Sequence, residues 1–579
     1  MRFDPALVPF SRRGSYVAFS VMAAGVQPAP GVQPAAGAQP PGLYWRSVRG
    51  PATGGRPMQE LFELRLVRAG ESLPFTLEAS AALLRLSADD AWAEICFASP
   101  DQVQIRLKGA ALQLRMVAIG AYDMVIADAP DRWQVVCNTI VETKLMVAAR
   151  AGRIVVDAPW EAERCSRIVL ELQPEAGVGE FTVDEFVGTW VPQASQASFD
   201  DCVAAATAEF EAWVSALPAV PAEYAEAREM AGYVLCSCGV AAHEHLPRPG
   251  ILASKNGMIG VWSWDHCFHT WALADAHPEQ AWDQFMLPFD HQDASGAIPD
   301  LINDRLVSWS FCKPPVHGWI LSRVLQHTSL LNEERLAEIY GPLGAWTTWW
   351  LTHRDPGDGL PAYHHGNDSG WDNSTIFAVR PPIQSPDLAA YLVLQLDFLA
   401  EAARRLGKNA DAVAWSTRAD ELVGRMLTRF WRGDRFVAIR TSDGAEVDCD
   451  SLQLYLPLVL GQRLPAEVRA ALSAGLKAPW RFLTAHGLAT EALTSPHYKD
   501  RGYWRGPIWP APMLILIDGL TACGEIDFAA DLRRRFCDLV ARSGMAENFD
   551  ARSGAGYHDF DFTWTASIFL ILAHALTHS

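Results

Sequence analysis

The hydrophobic period of this chain changes near residue 195, and the two periods demand different folds. From 59 to about 187, apolar residues alternate with polar ones. Phe62, Leu64 and Leu66 alternate with Glu63 and Arg65; Val103, Ile105 and Leu107 with Gln104 and Arg106; Leu112, Leu114 and Met116 with Gln113 and Arg115. A period of two lines one face of a strand. These runs, with shorter ones at 153–156, 168–172 and 181–186, predict an antiparallel β-sandwich. Residues 23–42 are uncharged Ala, Pro, Gly and Gln. Such a stretch cannot bury a core and reads as a long excursion between strands.

Beyond 195 the period becomes helical. "DDCVAAATAEFEAWVSAL" is a helix by propensity and spacing. "SPDLAAYLVLQLDFLAEAARRLG" carries one apolar face through Leu388, Tyr391, Leu392, Phe398, Leu399 and Ala402. Ser385 or Asp387 can cap its start, Pro386 suits its first turn, and Gly407 ends it. Helical patterns recur at 267–286, 316–331, 333–351, 411–430, 451–460, 465–476, 507–523, 525–542 and 562–577, with loops of Gly, Pro, Trp and Asp between them. No fixed repeat period marks a solenoid. The expected organisation is a β-sandwich domain over 1–195 and a mainly α domain over 196–579, its paired helices closing into a toroid whose loops converge on a pocket.

Charge and motifs narrow the chemistry. The net charge of −19 argues against nucleic acid or an anionic membrane as partner, because phosphate binding needs a basic footprint. No run of 18 apolar residues suggests a span, and the first residues lack the charged-then-apolar order of a secretory signal. The eleven Cys are scattered, and the one close pair, Cys236 and Cys238, has no zinc spacing. Reduced thiols in a cytoplasm are the expectation. P-loop, GxGxxG, HExxH and GxSxG patterns are absent. His266 and His269, or the adjacent His364 and His365, are the pairs that a metal site would draw on, but the reading calls for neither metal nor cofactor. The sequence carries no signal of an oligomeric state.

Five loops couple aromatic residues with acids, Arg or His: "GVWSWDHCFHTWAL" (260–273), "CKPPVHGW" (312–319), "HHGNDSGWDNST" (364–375), "YKDRGYWRGPIWP" (498–510) and "GMAENFDARSGAGYHDFDFTW" (544–564). Sugar recognition uses that mixture. Rings stack on the apolar face of a pyranose, and carboxylates or Arg bind adjacent hydroxyls. The 22 Trp agree with stacking surfaces, or with a large helical core. Glycoside hydrolysis also needs one carboxylic acid to protonate the leaving oxygen and a second group to activate water or attack. Asp372, between Trp371 and Asn373, fits the acid: the Trp would raise its pKa and the Asn orient it. It fits a helix cap as well, and Asp368 competes with it. Glu547 fits the second carboxylate or a solvated loop acid, with Asp550, Asp559 and Asp561 as rivals. Asp265 would bind hydroxyls or cap a helix. Arg505 would clamp a hydroxyl pair or pair with an acid. Phe268, His317, Trp319, Trp504 and Trp509 complete the candidate substrate contacts; Pro314 and Pro315 would set the angle of His317 and Trp319. Lys313, Arg380 and Arg505 are cations that could meet a carboxylate aglycone.

"WSWDH.F", "SGWDNST", "YWRGPIW" and a Glu ahead of an "F....G.G" turn occur in this order. Together they resemble glycoside hydrolase family 63 and its mannosylglycerate and glucosylglycerate hydrolase relatives, over roughly 200–579. The resemblance implies an (α/α)6 toroid behind an N-terminal β-domain, and exo-acting hydrolysis of α-glycosides with inversion. It implies Asp372 as general acid, Glu547 as general base, and sugar-binding roles for Trp264, Asp265, Trp504 and Arg505. The small glycerate-glycoside hydrolases lack a large β-domain and the eukaryotic processing glucosidases carry a membrane anchor, so the chain reads as a soluble bacterial-type member. The leading expectation is an inverting α-glucosidase acting on terminal α-glucosides of small oligosaccharides or glycosides. A mannosylglycerate or glucosylglycerate hydrolase is the alternative. Other enzymes of the same shape, such as epimerases and phosphorylases, and a non-catalytic carbohydrate-binding protein are the rivals.

Overall fold

The computed structural model describes residues 1–22, 42–50, 59–175, 177–192, 197–479 and 481–578. The Ala/Pro/Gly/Gln run lies outside the described residues except for Gly42, where a strand begins. Strands Val17–Met22 and Gly42–Ser47 pair antiparallel with Met22 opposite Gly42.

The chain forms two compact units. The first holds Met1–Ala216, Gly232–Gly260 and Asn303–Leu306; the second holds Leu217–Ala231, Val261–Ile302 and Val307–Ser579.

The first unit is an antiparallel sandwich. One sheet orders Val17–Met22, Gly42–Ser47, Glu60–Arg68, Ala111–Met116, Val169–Gln173 and Arg153–Asp157, with Glu71–Leu73 pairing on Glu60–Arg68. The other orders Met124–Ala129, Arg132–Cys137, Thr143–Ala151, Val178–Phe186, Gln102–Lys108, Ala91–Ser99, Leu84–Ala88 and Thr76–Ala79. The alternation seen in the sequence is realised: Leu64, Leu66, Ile105, Leu107, Leu112 and Leu114 are buried between the sheets with Trp45, Phe62 and Phe181. Helix α1 (Phe199–Ala216) was expected with the helical domain, but it belongs to this first unit. It packs on Ala91–Ser99, where Phe199 and Cys202 meet Cys96. The later segments return to this unit through buried polar ties. Lys255 donates to Ser11 Oγ (3.0 Å) and the Gly239 carbonyl (3.3 Å). Asp304 accepts from the Gly50 N–H and pairs with Arg49, which also meets Glu185.

Helix α2 (Ala225–Ser237) is unmarked in the sequence reading; its residues up to Ala231 are counted with the second unit and those from Gly232 with the first. The second unit is helical: α3 (Asp265–Leu273), α4 (Pro278–Asp290), α5 (His317–His327), α6 (Glu333–His353), α7 (Pro386–Arg405), α8 (Asn409–Phe430), a 3₁₀ run Leu452–Arg463, α9 (Ala466–Lys477), α10 (Pro510–Cys523), α11 (Ile526–Ser543) and α12 (Thr563–Ala575). Six of these elements close a ring, each packing on the next: α3, α5, α7, the 3₁₀ run, α10, α12, and back to α3. Outside it, α4 lies on α3, α6 and α8 on α7, α9 on the 3₁₀ run, and α11 on α10 and α12. This is the (α/α) toroid expected. Inner helices should be apolar all round and outer ones on one face only. Accordingly, α10 is buried along nearly its whole length, whereas α11 buries only Ala529, Leu532, Phe536, Cys537, Leu539 and Val540.

Three local readings change. The single helix expected over 267–286 is two: α3 ends at Leu273, His277 turns the chain, and Pro278 opens α4. The segment 451–460 is 3₁₀ rather than α: Pro457 removes a donor within it, and Gly461 breaks the path with φ 54° and ψ −124°. At the start of α7, Ser385 does not cap the backbone. Its hydroxyl goes to Asp387, which also accepts from Tyr363 (3.0 Å) and Gln453 (3.1 Å). Gly407 ends that helix as expected, at φ +71°. Among the described residues, no helix is long and apolar enough to cross a membrane.

Candidate active site

The inner ring elements are entered from loops that carry the aromatic-acid motifs. Trp264 precedes α3, Trp509 precedes α10, and Trp564 lies in the first turn of α12. The loop 364–375 is held by what glycine permits at two points. A Cβ on Gly366 would land on the Asp372 carbonyl oxygen, inside contact distance. Gly370 sits at φ +74°, and a Cβ there would come within 2.5 Å of the Trp264 ring. The far end of the loop is pinned by Ser374 Oγ to Ser451 Oγ (3.1 Å) and by Thr375 Oγ1 donating to buried Glu491 (2.7 Å). Ser374, not Asp372, takes the N-cap position of the short 3₁₀ turn that follows, so Asp372 is not a cap.

Three carboxyl groups, one at the start of α3 and two in separate loops, influence one another electrostatically. Asp265, the first residue of α3, is buried, and burial pushes its pKa up to about 7; Lys313 opposes the rise, while Asp300 and Asp372 add to it. Asp372 is raised by burial, held back by Lys313 and raised again by Asp300. Glu547 is pushed up to about 8 by burial, against a hydrogen bond from Tyr503 and with help from the charges of Asp559, Asp372 and Asp265. The Tyr503 hydroxyl donates to Glu547 Oε1 at 2.9 Å. Tyr503 adopts φ +62°, a region that bulky residues avoid. Its carbonyl accepts from the Trp509 indole N–H at 2.9 Å, which fixes the turn. Lys313 is the buried cation of the group. Its Nζ donates to the Asn367 carbonyl (2.9 Å) and side-chain oxygen, and lies 3.2 Å from Asp300 Oδ1. Burial works against its charge, but Asp300, Asp372 and Asp265 together raise its pKa.

The aromatic residues form the wall behind these groups. Trp504 stacks on Trp509 at 3.8 Å and 9°, Trp371 lies on Trp504 at 4.8 Å, and Trp264 meets Trp564 at 5.5 Å. Trp264, Trp371, Trp504 and Trp509 are each at most 3% exposed. This corrects the expectation that they offer open stacking faces: their rings are spent on one another. Asn373 does not orient Asp372 either. Its side-chain oxygen accepts from the Trp504 N–H (3.0 Å), its amide donates to the Gly502 carbonyl (3.1 Å), and its own carbonyl accepts from Arg505 Nε (2.6 Å). Asn373 and Arg505 therefore join the loops 364–375 and 498–510.

Four other candidates have partners other than the three carboxyls. Asp368 accepts from the Cys312 and His364 N–H groups and pairs with Arg354 at 2.9 Å, so it braces the loop. His317 is fully buried against His266, Phe285 and Phe289, and burial holds its pKa well below the usual range. Trp319 donates to Asp518 at 2.7 Å, and Phe268 packs between Trp264 and Trp319. The histidine pair weighed from the sequence is also rearranged. His269 meets Gln284 (3.0 Å), whereas His266, Cys267 and His317 bring ligand-capable atoms within 4.8 Å of one another. The sequence reading assigns no role to Tyr503 or Asp300, and it takes Lys313 as an aglycone contact or a structural cation. Tyr503 opens "YWRGPIW" and could have been found there; Asp300, in "IPDLIND", carries no local signal.

A sequence model described as the mannosylglycerate hydrolase MGH1-like glycoside hydrolase domain matches residues 258–565. The chain belongs to this glycoside hydrolase family. Mannosylglycerate hydrolase MGH1 of Selaginella moellendorffii is 24% identical over 388 residues, covering 53% of this chain and 79% of the relative. The structure of a GH63 mannosylglycerate hydrolase of Thermus thermophilus with Tris aligns at TM-score 0.52 and 20% identity, over 59% of this chain and 99% of its own. A bacterial glucoamylase complexed with acarbose aligns over 100% of this chain and 96% of its own, at TM-score 0.61 and 10% identity, so both the sheets and the helices have a counterpart in fold. The protein is thus a glycosidase of the family 63 type. In a glycoside hydrolase of this kind, buried carboxyls with raised pKa values are the groups able to exchange protons near neutral pH.

Proposed function

We propose that this glycoside hydrolase cleaves an α-glycoside of glycerate, mannosylglycerate foremost, in a single displacement with inversion. The observation that carries the reading is the hydrogen bond from Tyr503 to buried Glu547 (2.9 Å), together with the burial of Asp265 at the start of α3 and of Asp372, whose charges both act on Glu547. The glycerate aglycone rests on the name of the matched family and of its relatives, and it ranks above the plain α-glucosidase expectation for that reason. Asp372 gives its proton to the glycosidic oxygen as the bond to the anomeric carbon breaks. Glu547 takes a proton from water as the water oxygen bonds that carbon from the opposite face. Asp265 accepts hydrogen bonds from sugar hydroxyls. The products are the free sugar and glycerate, and the two carboxyls have exchanged one proton.

The test uses the full chain with mannosylglycerate, glucosylglycerate and simple α-glucosides, and Asp372→Asn as the blank. Release of glycerate, with the β-anomer of the sugar appearing first by proton NMR, is expected. An α-anomer as first product would overturn inversion. Turnover of simple α-glucosides alone would return the protein to the α-glucosidase reading.

A further inference from the structure

We propose that the buried Lys313–Asp300 pair is the positioning element that sets which of the site's carboxyls carry protons. The inference rests on the proposed roles of Asp265 and Asp372. Its basis is geometric. Lys313 and Asp300 are 4% and 6% exposed and lie 3.2 Å apart. Asp300 is fixed by its backbone on both sides: its N–H donates to the Ser308 carbonyl, and its carbonyl accepts from the Ser263 N–H, two residues before Asp265. Lys313 is fixed from the other side by Asn367, in the loop that carries Asp372. The pair therefore ties the segment just before α3 to that loop, and Lys313 exchanges electrostatic influence with both Asp265 and Asp372.

Two charges of opposite sign with fixed seats act in opposite directions on a shared neighbour. Lys313 lowers the pKa of both Asp265 and Asp372, and Asp300 raises both. Lys313 is the larger influence on each. Other charged or titratable groups around them include His365, which lowers Asp372, Cys267 next to Asp265, Cys312 next to Lys313, Glu547, Tyr503, Asp368, bridged to Arg354, and Asp559 beside Glu547. Against burial, which raises the proton affinity of Asp265 and Asp372, Lys313 keeps Asp265 available as a hydroxyl acceptor and keeps Asp372 a strong enough acid to release its proton. Glu547, with no such cation among its main influences, takes its hydrogen bond from Tyr503 instead.

The experiment reads protonation directly, without turnover. Carboxyl signals are followed by carbon-13 NMR or infrared titration of the full chain, and the Asp372 and Asp265 signals are assigned by their loss in Asp372→Asn and Asp265→Asn. Lys313→Met should move both midpoints to higher pH. Asp300→Asn should move both to lower pH, because Lys313 stays charged beside Asp265 and Asp372. Opposite shifts support the proposal, since a bracing role alone gives no reason for opposite signs. Unmoved midpoints, or shifts in one direction for both variants, overturn it. Should Lys313→Met not fold, the direction seen in Asp300→Asn decides. Failure of the proposed function shows elsewhere, as undiminished hydrolysis by Asp372→Asn.

Discussion

The hydroxyl of Tyr503 donates to Glu547 at 2.9 Å, from a residue held at φ +62°. A phenol hydrogen bond favours the carboxylate over the carboxylic acid, so this contact opposes the burial that pushes Glu547 up to about 8. Tyr503→Phe removes the donor and leaves the ring. Glu547 will then hold its proton to higher pH. Hydrogen bonds to charged groups are worth about 1.5–3 kcal/mol, so kcat at neutral pH should fall roughly tenfold or more, with the acidic limb of the pH profile displaced upward. A fall in kcat with an unmoved limb would assign Tyr503 to substrate contact instead.

Glu547 also links activity to stability. Folded, it binds its proton more tightly than when unfolded, because its pKa rises from the ordinary carboxylate range to about 8. Below that range both states are protonated and the group is neutral in effect. As pH climbs towards 8 the unfolded chain gives up the proton first, and the native state loses stability; above 8 the full cost is present. Glu547→Gln removes the titration and keeps the shape. Its thermal midpoint should exceed that of the parent at pH 9 and match it near pH 4, while hydrolysis is lost. Equal midpoints at both pH values would argue that Glu547 is solvated rather than buried.

Much of this was legible in the sequence, and what was not has physical causes. Period two and period 3.6 are local properties, so the sandwich strands and most helices could be read from runs such as Phe62–Leu66 and Leu388–Ala402. The return of Gly232–Gly260 and Asn303–Leu306 to the first unit depends on Lys255, Asp304 and Arg49, whose partners are distant in sequence. The same holds at the site. Asp372 and Glu547 stand in marked motifs, but Asp300 acquires its meaning only from Lys313. The Trp residues misled for a related reason: a loop rich in Trp looks like a stacking surface until Trp371, Trp504 and Trp509 are seen against one another.

The order of proton affinities makes the division of labour testable. Glu547 is the carboxyl pushed to about 8, and taken alone that would suit a proton donor. A leaving-group comparison decides. A poor leaving group such as glycerate needs protonation, an activated aryl group hardly does, and general acid catalysis is worth about 10²–10⁴. Asp372→Asn should lose that factor on mannosylglycerate and far less on an activated aryl glycoside. Glu547→Gln should lose comparably on both, because water activation is needed either way. The reverse pattern would exchange the two roles.

The loop that carries Asp372 provides a test of positioning apart from stability. Gly366→Ala drives a methyl onto the Asp372 carbonyl oxygen, backbone that cannot swing aside as a side chain would. Gly407→Ala, at φ +71° but with no heavy atom within 4 Å, adds backbone strain far from the site. Both variants should lower the thermal midpoint, the first by overpacking worth about 1–3 kcal/mol and the second by roughly 1 kcal/mol of left-handed strain. Only Gly366→Ala should damage turnover. A displacement of about 1 Å at a proton donor costs on the order of a hundredfold in rate, so kcat on mannosylglycerate should fall by that order while Gly407→Ala stays near the parent. Parallel losses in the two variants would mean that turnover follows global stability and that the seat of Asp372 is not what Gly366 protects.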